Sequence, residues 1–316
     1  MTRLPTPRGD LGTAVDDVLR AAPDPSGPPL DVKPSCPEDA ALTLWVLHEL
    51  TYGGFDTVDD RHERNARLLA LRAELEDDLE ERLRSSWPGA PELDFVAGFA
   101  GWLEQWEGPS LARFVQSSAR RHQADRLLKL RTVYHLKEAD PTTWAIPRLP
   151  LAAKAALAEL QYDEYGVGDP ARLHSHLFAL GLEASGLDAT YGAYLDEAPL
   201  EVLEQNNAVS MFGLQRRLRG AAVGHLAAFE STSSMPSRRL AQGLERLGYP
   251  REMVGYYTEH VEADAVHEQV AIRTICGGLL QAEPDLADDV WFGAWACLHQ
   301  EDQVARRLLD EWEEAV

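Results

Sequence analysis

In HVEADAVHEQ, residues 260–269, His260, Asp264 and His267 stand at i, i+4 and i+7. On an α-helix of about 100° per residue they fall within an arc of about 60°. One face of one helix then presents two imidazoles and a carboxylate, which is donor chemistry for a divalent metal; it is equally a set of three polar residues on a wet surface. Val261, Ala265 and Val266 around them, with Ala271, Ile272 and Ile275 beyond, make the segment too apolar to be wholly solvated, so part of that face should be interior. The rise from His260 to His267 is about 10 Å. That is long for one small ion and better suited to two ions about 3.5–4 Å apart.

Two ions need more ligands from other helices. Glu164 stands in LQYDEYG, His174 in ARLHSHLF, and Glu230 closes GHLAAFE, each within an otherwise apolar helical stretch. With His260, Asp264 and His267 these make a set that nearly neutralises two divalent ions and leaves positions open for oxygen or substrate. A ferritin-like arrangement would need a second E/D-x-x-H helix. The other match, Asp59 to His62 in GFDTVDDRHERN, reads as a solvated loop or helix start.

The elements that must hold these residues read as helices almost throughout. The 316 residues bound one large domain or two modest ones, and 45% hydrophobic with 26% charged residues is the composition of a folded globular chain. Residues 21–37, with six prolines, read as a surface arm preceded by at most a short helix. From Ala40 onward apolar residues recur every three or four positions, and no segment alternates with period two. The expectation is an all-α domain. Residues 109–138 read as one helix. Another is expected to begin near Pro236, capped by Ser233 or Ser234. Gly166-Val167-Gly168 is placed to loosen the chain between Glu164 and His174. Because unpaired acids and imidazoles are costly to bury, residues 260–267 are the stretch expected to be irregular without metal.

A formal net charge of −22 disfavours nucleic acid and anionic membrane surfaces as partners. Three cysteines, Cys36, Cys276 and Cys297, with no close C-x-x-C pair, exclude a disulfide framework or zinc ribbon and read as a reducing compartment. No signal-peptide core or run of about 20 apolar residues is present, and the expected location is the cytoplasm.

ELQYDEYGVGDPARLHSHLF, HLAAFESTSS and YYTEHVEADAVHEQ together resemble the haem-oxygenase-like diiron oxidases and oxygenases, the iron-containing redox enzymes, over roughly residues 110–316. The resemblance implies a haem-oxygenase-like multi-helix bundle with additional N-terminal helices. The corresponding division is a Pro-rich arm at 1–37, a helical extension at 38–108 and the diiron domain at 109–316. It carries the iron ligands onto Glu164, His174, Glu230, His260, Asp264 and His267, with Glu138 in HLKEADP as a further carboxylate. It further implies two Fe(II)/Fe(III) ions and O2 as co-substrate, with a peroxo-diiron(III) species attacking a small, amine- or amino-acid-derived substrate by N-oxygenation or oxidative C–C cleavage. Separately from the resemblance, an external electron donor and a homodimer through apolar helical faces are expected partners. The alternatives are haem binding on the same scaffold and a non-catalytic helical interaction protein. Tyr162, Tyr165, Tyr256 and Tyr257 flank the ligand segments and read chiefly as packing residues, with hydrogen bonding to ligands as their other role. Arg216, Arg217 and Arg219 read mainly as partners of surface acids.

Overall fold

The computed structural model describes residues 2–24 and 27–314, the side chains of residues 262–266 and 314 excepted. Among the described residues fourteen α-helices follow in order: α1 (Asp10–Arg20), α2 (Pro37–Glu49), α3 (Ala66–Ser86), α4 (Phe95–Leu103), α5 (Leu111–Ser117), α6 (Arg121–His135), α7 (Asp140–Thr143), α8 (Leu151–Glu164), α9 (His174–Ala184), α10 (Leu200–Leu214), α11 (Arg219–Arg246), α12 (Arg251–Gln269), α13 (Gly277–Ala282) and α14 (Ala287–Glu314). Val270–Cys276, between α12 and α13, is in the wider π register. There is no strand among the described residues, as the all-α reading expects.

The short helix before the proline-rich stretch buries Leu11, Val15 and Leu19 along one stripe. Its start is capped from outside: buried Asp39 of α2 accepts from the Leu11 and Gly12 amides. α2 is apolar nearly all round and almost wholly buried, the pattern of a helix with neighbours on every side. The early helices share their core with the late ones. Leu11, Trp45 and Leu68 pack in one cluster with Val115, Leu203 and Trp312, while Leu79, Phe95 and Phe99 join Phe212, Val223 and Trp291 in another.

α11 is the central helix, packed against α5, α12 and α14. It approaches α14 so closely that a Cβ on Gly224 would strike the Val290 carbonyl, and one on Gly293 the Ala221 carbonyl. This helix differs from expectation. It runs unbroken through Pro236, so no helix starts there and Ser233 and Ser234 cap nothing. The Thr232 and Ser233 hydroxyls bond back to the Ala228 and Glu230 carbonyls. Burial of Ala227 and Ala228 on one side of the proline, and of Leu240 and Leu244 on the other, keeps both halves on one axis despite the missing amide.

The expected single helix at 109–138 is two, α5 and α6. Arg246 of α11 donates to the carbonyls of Val115, Gln116 and Ala119, taking the place of intrahelical bonds at the break. Gln123 accepts from the Arg120 amide to start α6. The stretch expected to be irregular is helical throughout Arg251–Gln269, and the departure from α geometry falls just after it. One nitrogen of each imidazole is satisfied within the protein, His260 Nδ1 by the Tyr256 carbonyl and His267 Nε2 by Asp163, and that lowers the cost on which the expectation rested. No helix among the described residues is long and apolar enough to cross a membrane.

Candidate metal centre

Four helices and one turn converge at the middle of the bundle. Glu164 is the last residue of α8 and His174 the first of α9. Between them Gly166, Val167 and Gly168 all have positive φ, 71°, 57° and 80°, reversing the chain so that the two side chains face each other, as the sequence expects of this segment. The His174 Nδ1 atom lies 2.8 Å from Glu164 Oε2. α12 supplies His260 and His267, α11 supplies Glu230, and Glu138 comes from the turn between α6 and α7.

The six side chains form two triads. Ligand atoms of Glu138, His174 and His260 all lie within 4.8 Å of one another, and so do those of Glu164, Glu230 and His267; all six residues are buried. Glu164 touches both sets, with Oε2 toward His174 and Oε1 3.4 Å from His267 Nδ1. Glu230 Oε2 is 3.5 Å from that same nitrogen. A cavity of about 20 Å³, room for a single water-sized particle, is bordered by Glu138, Glu164, Glu230 and His260. The side chain of Asp264, the remaining expected ligand, lies outside the described residues.

Groups behind the donors orient them. The Nδ1–H of His260 donates to the Tyr256 carbonyl at 2.8 Å, which turns Nε2 toward Glu138 Oε1, 3.7 Å away. His267 Nε2 bonds Asp163 Oδ2 at 3.3 Å, leaving Nδ1 directed at the two glutamates. The Tyr256 hydroxyl donates to Glu138 Oε2 at 3.0 Å, and His135 Nδ1 lies 3.1 Å from Oε1. Tyr256 is thus more than packing. Tyr165 bonds Asp140 and Thr143, and Tyr162 is exposed.

The electrostatics favour a positive charge at this place. Burial works against the Glu138 charge, yet His135 and His260 beside it hold its pKa well below the usual carboxylate range. Burial likewise opposes protonation of His174, but the Glu164 carboxylate outweighs it and raises the pKa. For His267, burial is overcome by Glu230, then by Glu164 and Asp163, and the pKa is pushed up to about 9. Protons are held here where a cation would bind.

These residues fit metal. The buried Nδ1 atoms of His174 and His267 stand 2.8–3.5 Å from carboxylate oxygens, yet none of these approaches is aligned as a hydrogen bond. Two ligands at right angles on one ion, each bonded at about 2.1 Å, are themselves about 3.0 Å apart, so the spacing is that of ligands converging on common points. Imidazole and carboxylate donors together suit iron, manganese or zinc.

A larger cavity of about 210 Å³ borders Glu138 and His260, together with His135 and Tyr256. Its walls are mostly apolar, including Leu127, Val209, Phe229 and Leu298, but Arg131 and Glu301 pair within it, with Gln205 donating to Glu301. Partial burial opposes the Glu301 charge, but Arg131 outweighs it and holds the pKa below the usual carboxylate range.

Sequence reasoning passed over His135, Asp163 and the Arg131–Glu301 pair. The H-x-x-E spacing of His135 to Glu138 was the available signal for the first. Asp59 and His62 lie apart from the centre: Asp59 pairs with Arg61, and His62 bonds the Ala21 carbonyl. Arg217 and Arg219 pair with acids as expected, but Glu80 is buried and Glu283 only partly exposed, so the pairs are not at the open surface.

The described residues form an all-α bundle whose buried donors could hold metal, with a cavity beside them. A family model of iron-containing redox enzymes matches residues 125–302, a span that holds all six donors, and the chain belongs to that family. It is an oxidoreductase of the iron-containing class. No curated protein matches the chain.

Proposed function

We propose that this chain is an O2-activating non-haem diiron oxidase or oxygenase acting on a small organic molecule. The observation that carries the reading is the pair of buried triads joined through Glu164, one of which borders a largely apolar pocket. Glu138, His174 and His260 would hold one iron and Glu164, Glu230 and His267 the other, with Asp264 of α12 as a further ligand in the sequence reading. Bound iron supplies electrons to dioxygen for oxidation of the substrate, and an external donor belongs to the reading.

The protein's own part is placement. Tyr256 and His135 hold Glu138, the Tyr256 carbonyl fixes the His260 ring, and Asp163 fixes that of His267. Glu164 stands between the triads, and carboxylates tolerate the change between terminal and bridging binding that a redox cycle demands. The mostly apolar walls of the cavity limit the polar surroundings on the Glu138–His260 side. Arg131 and Glu301 offer both signs of charge to a bound molecule, which suits an amine- or amino-acid-derived substrate; N-oxygenation and oxidative C–C cleavage are the reactions proposed. A porphyrin face against Glu138 and Glu164 would desolvate both carboxylates, so haem binding is the poorer reading.

Anaerobic loading with Fe(II), metal analysis and stopped-flow mixing with O2 test the proposal. Two irons per chain and a transient absorption are expected; no iron near that stoichiometry together with no transient would sink it.

A further inference from the structure

Of the six donors Glu138 has no helix beneath it, standing between the end of α6 at His135 and the start of α7 at Asp140. A donor on a turn is placed by whatever grips the turn. One grip is on the carboxylate itself, through Tyr256 and His135.

The other is on the preceding residue. The Lys137 side chain is buried against α2 and the chain around it, with Nζ 3.5 Å from Glu49 Oε2. The ring centroids of Tyr52, Trp45 and Tyr191 stand 4.6, 5.5 and 5.9 Å from the ammonium. Glu49 is itself fixed, accepting from the Tyr191 hydroxyl at 2.8 Å and the Gly53 amide at 3.3 Å. A buried ion pair of this kind seldom adds stability over apolar side chains of equal size, and its better-attested use is to select one arrangement. Here the arrangement selected is that of the turn carrying Glu138.

We propose that Lys137, gripped by Glu49 and the cage of Trp45, Tyr52 and Tyr191, is a positioning residue for Glu138, and that α2 is thereby a clamp on the Glu138–His174–His260 half of the metal centre. The proposal rests on the two-metal reading. It gives a role to an N-terminal helix that lies before the matched segment 125–302.

The test uses the full chain as Lys137→Met, Glu49→Gln and the double variant, which strands no buried charge and so guards against misfolding. Hydrogen exchange on the metal-free chain reads the turn, and anaerobic Fe(II) titration reads the centre. Amides of residues 136–143 are expected to exchange about tenfold faster or more in each variant, with α11 unchanged. One of two Fe(II) ions is expected to bind about tenfold more weakly or worse, the other at wild-type affinity. Unchanged exchange overturns the clamp, as does faster exchange with both ions held normally. If the wild-type chain takes up no metal, the two-metal reading falls instead, and the exchange measurement judges the clamp by itself.

Discussion

Glu164 carries a different burden from the other five donors because its two oxygens face different histidines. Glu164→Gln keeps the shape and removes the charge, and is expected to weaken both Fe(II) ions by about tenfold or more. Glu138→Gln should weaken only one; anaerobic calorimetric titration separates the two outcomes. Tyr256→Phe removes a single hydroxyl from Glu138 and His135. Its expected cost is about 1.5–3 kcal/mol in unfolding free energy, because the carboxylate it bonds is charged, and about 10–100-fold in metal affinity, to be read by denaturant titration beside metal titration. At this scale much of the centre was legible, because spacing on a helix is a strong constraint: His260 and His267 share a face by arithmetic. Glu138 was accessible only through family resemblance, since a turn imposes no periodicity. His135 and Asp163 were missed because their significance lies in touching a ligand and not in their own spacing.

Among elements, the reversal between α8 and α9 shows how local strain serves placement. Val167 is a β-branched residue at φ 57° between two glycines of positive φ, a conformation costing about 1–2 kcal/mol. Asparagine tolerates it better, and the valine side chain is exposed, so Val167→Asn is expected to stabilise the chain by about 1 kcal/mol, visible as a raised denaturant midpoint. The reverse holds at Gly166. A Cβ there would come 2.6 Å from the Arg172 and Leu173 backbone, and Gly166→Ala should lower both stability and metal uptake by displacing His174. Helix existence was legible along nearly the whole chain, but junctions were not. Proline at 236 looked like a beginning because its missing amide is a local fact, whereas the burial that carries α11 past it comes from other helices. The break between α5 and α6 was hidden for the same reason, since Arg246 lies more than a hundred residues away in sequence.

For the whole molecule, acid is the expected weakness. His225 is buried beside Phe212 in the cavity wall, and burial pushes its pKa down to about 4. The unfolded chain, near pKa 6.5, binds the proton first, so the contribution of this residue is fully present above that pH and is lost as pH falls from about 6.5 toward 4. The loss from this residue is up to about 3 kcal/mol. Urea unfolding across that range should show the decline, and His225→Phe should make it shallower. No pattern in the sequence distinguishes this histidine from the ligands; its isolation from carboxylates exists only after folding. The π register of Val270–Cys276 has a consequence of another kind. It lets the helix that carries His260 and His267 and the core residues Ile272, Ile275 and Leu279 keep their own faces on one continuous run of chain. One residue of an α-helix is about 100° of rotation, so the count of residues between His267 and Ile275 works as a phase setting. Deleting any single residue from that stretch should abolish metal binding or folding, while substitutions at exposed Arg273 or Thr274 should pass unnoticed. The protein is more exposed there to a change of length than to a change of letter.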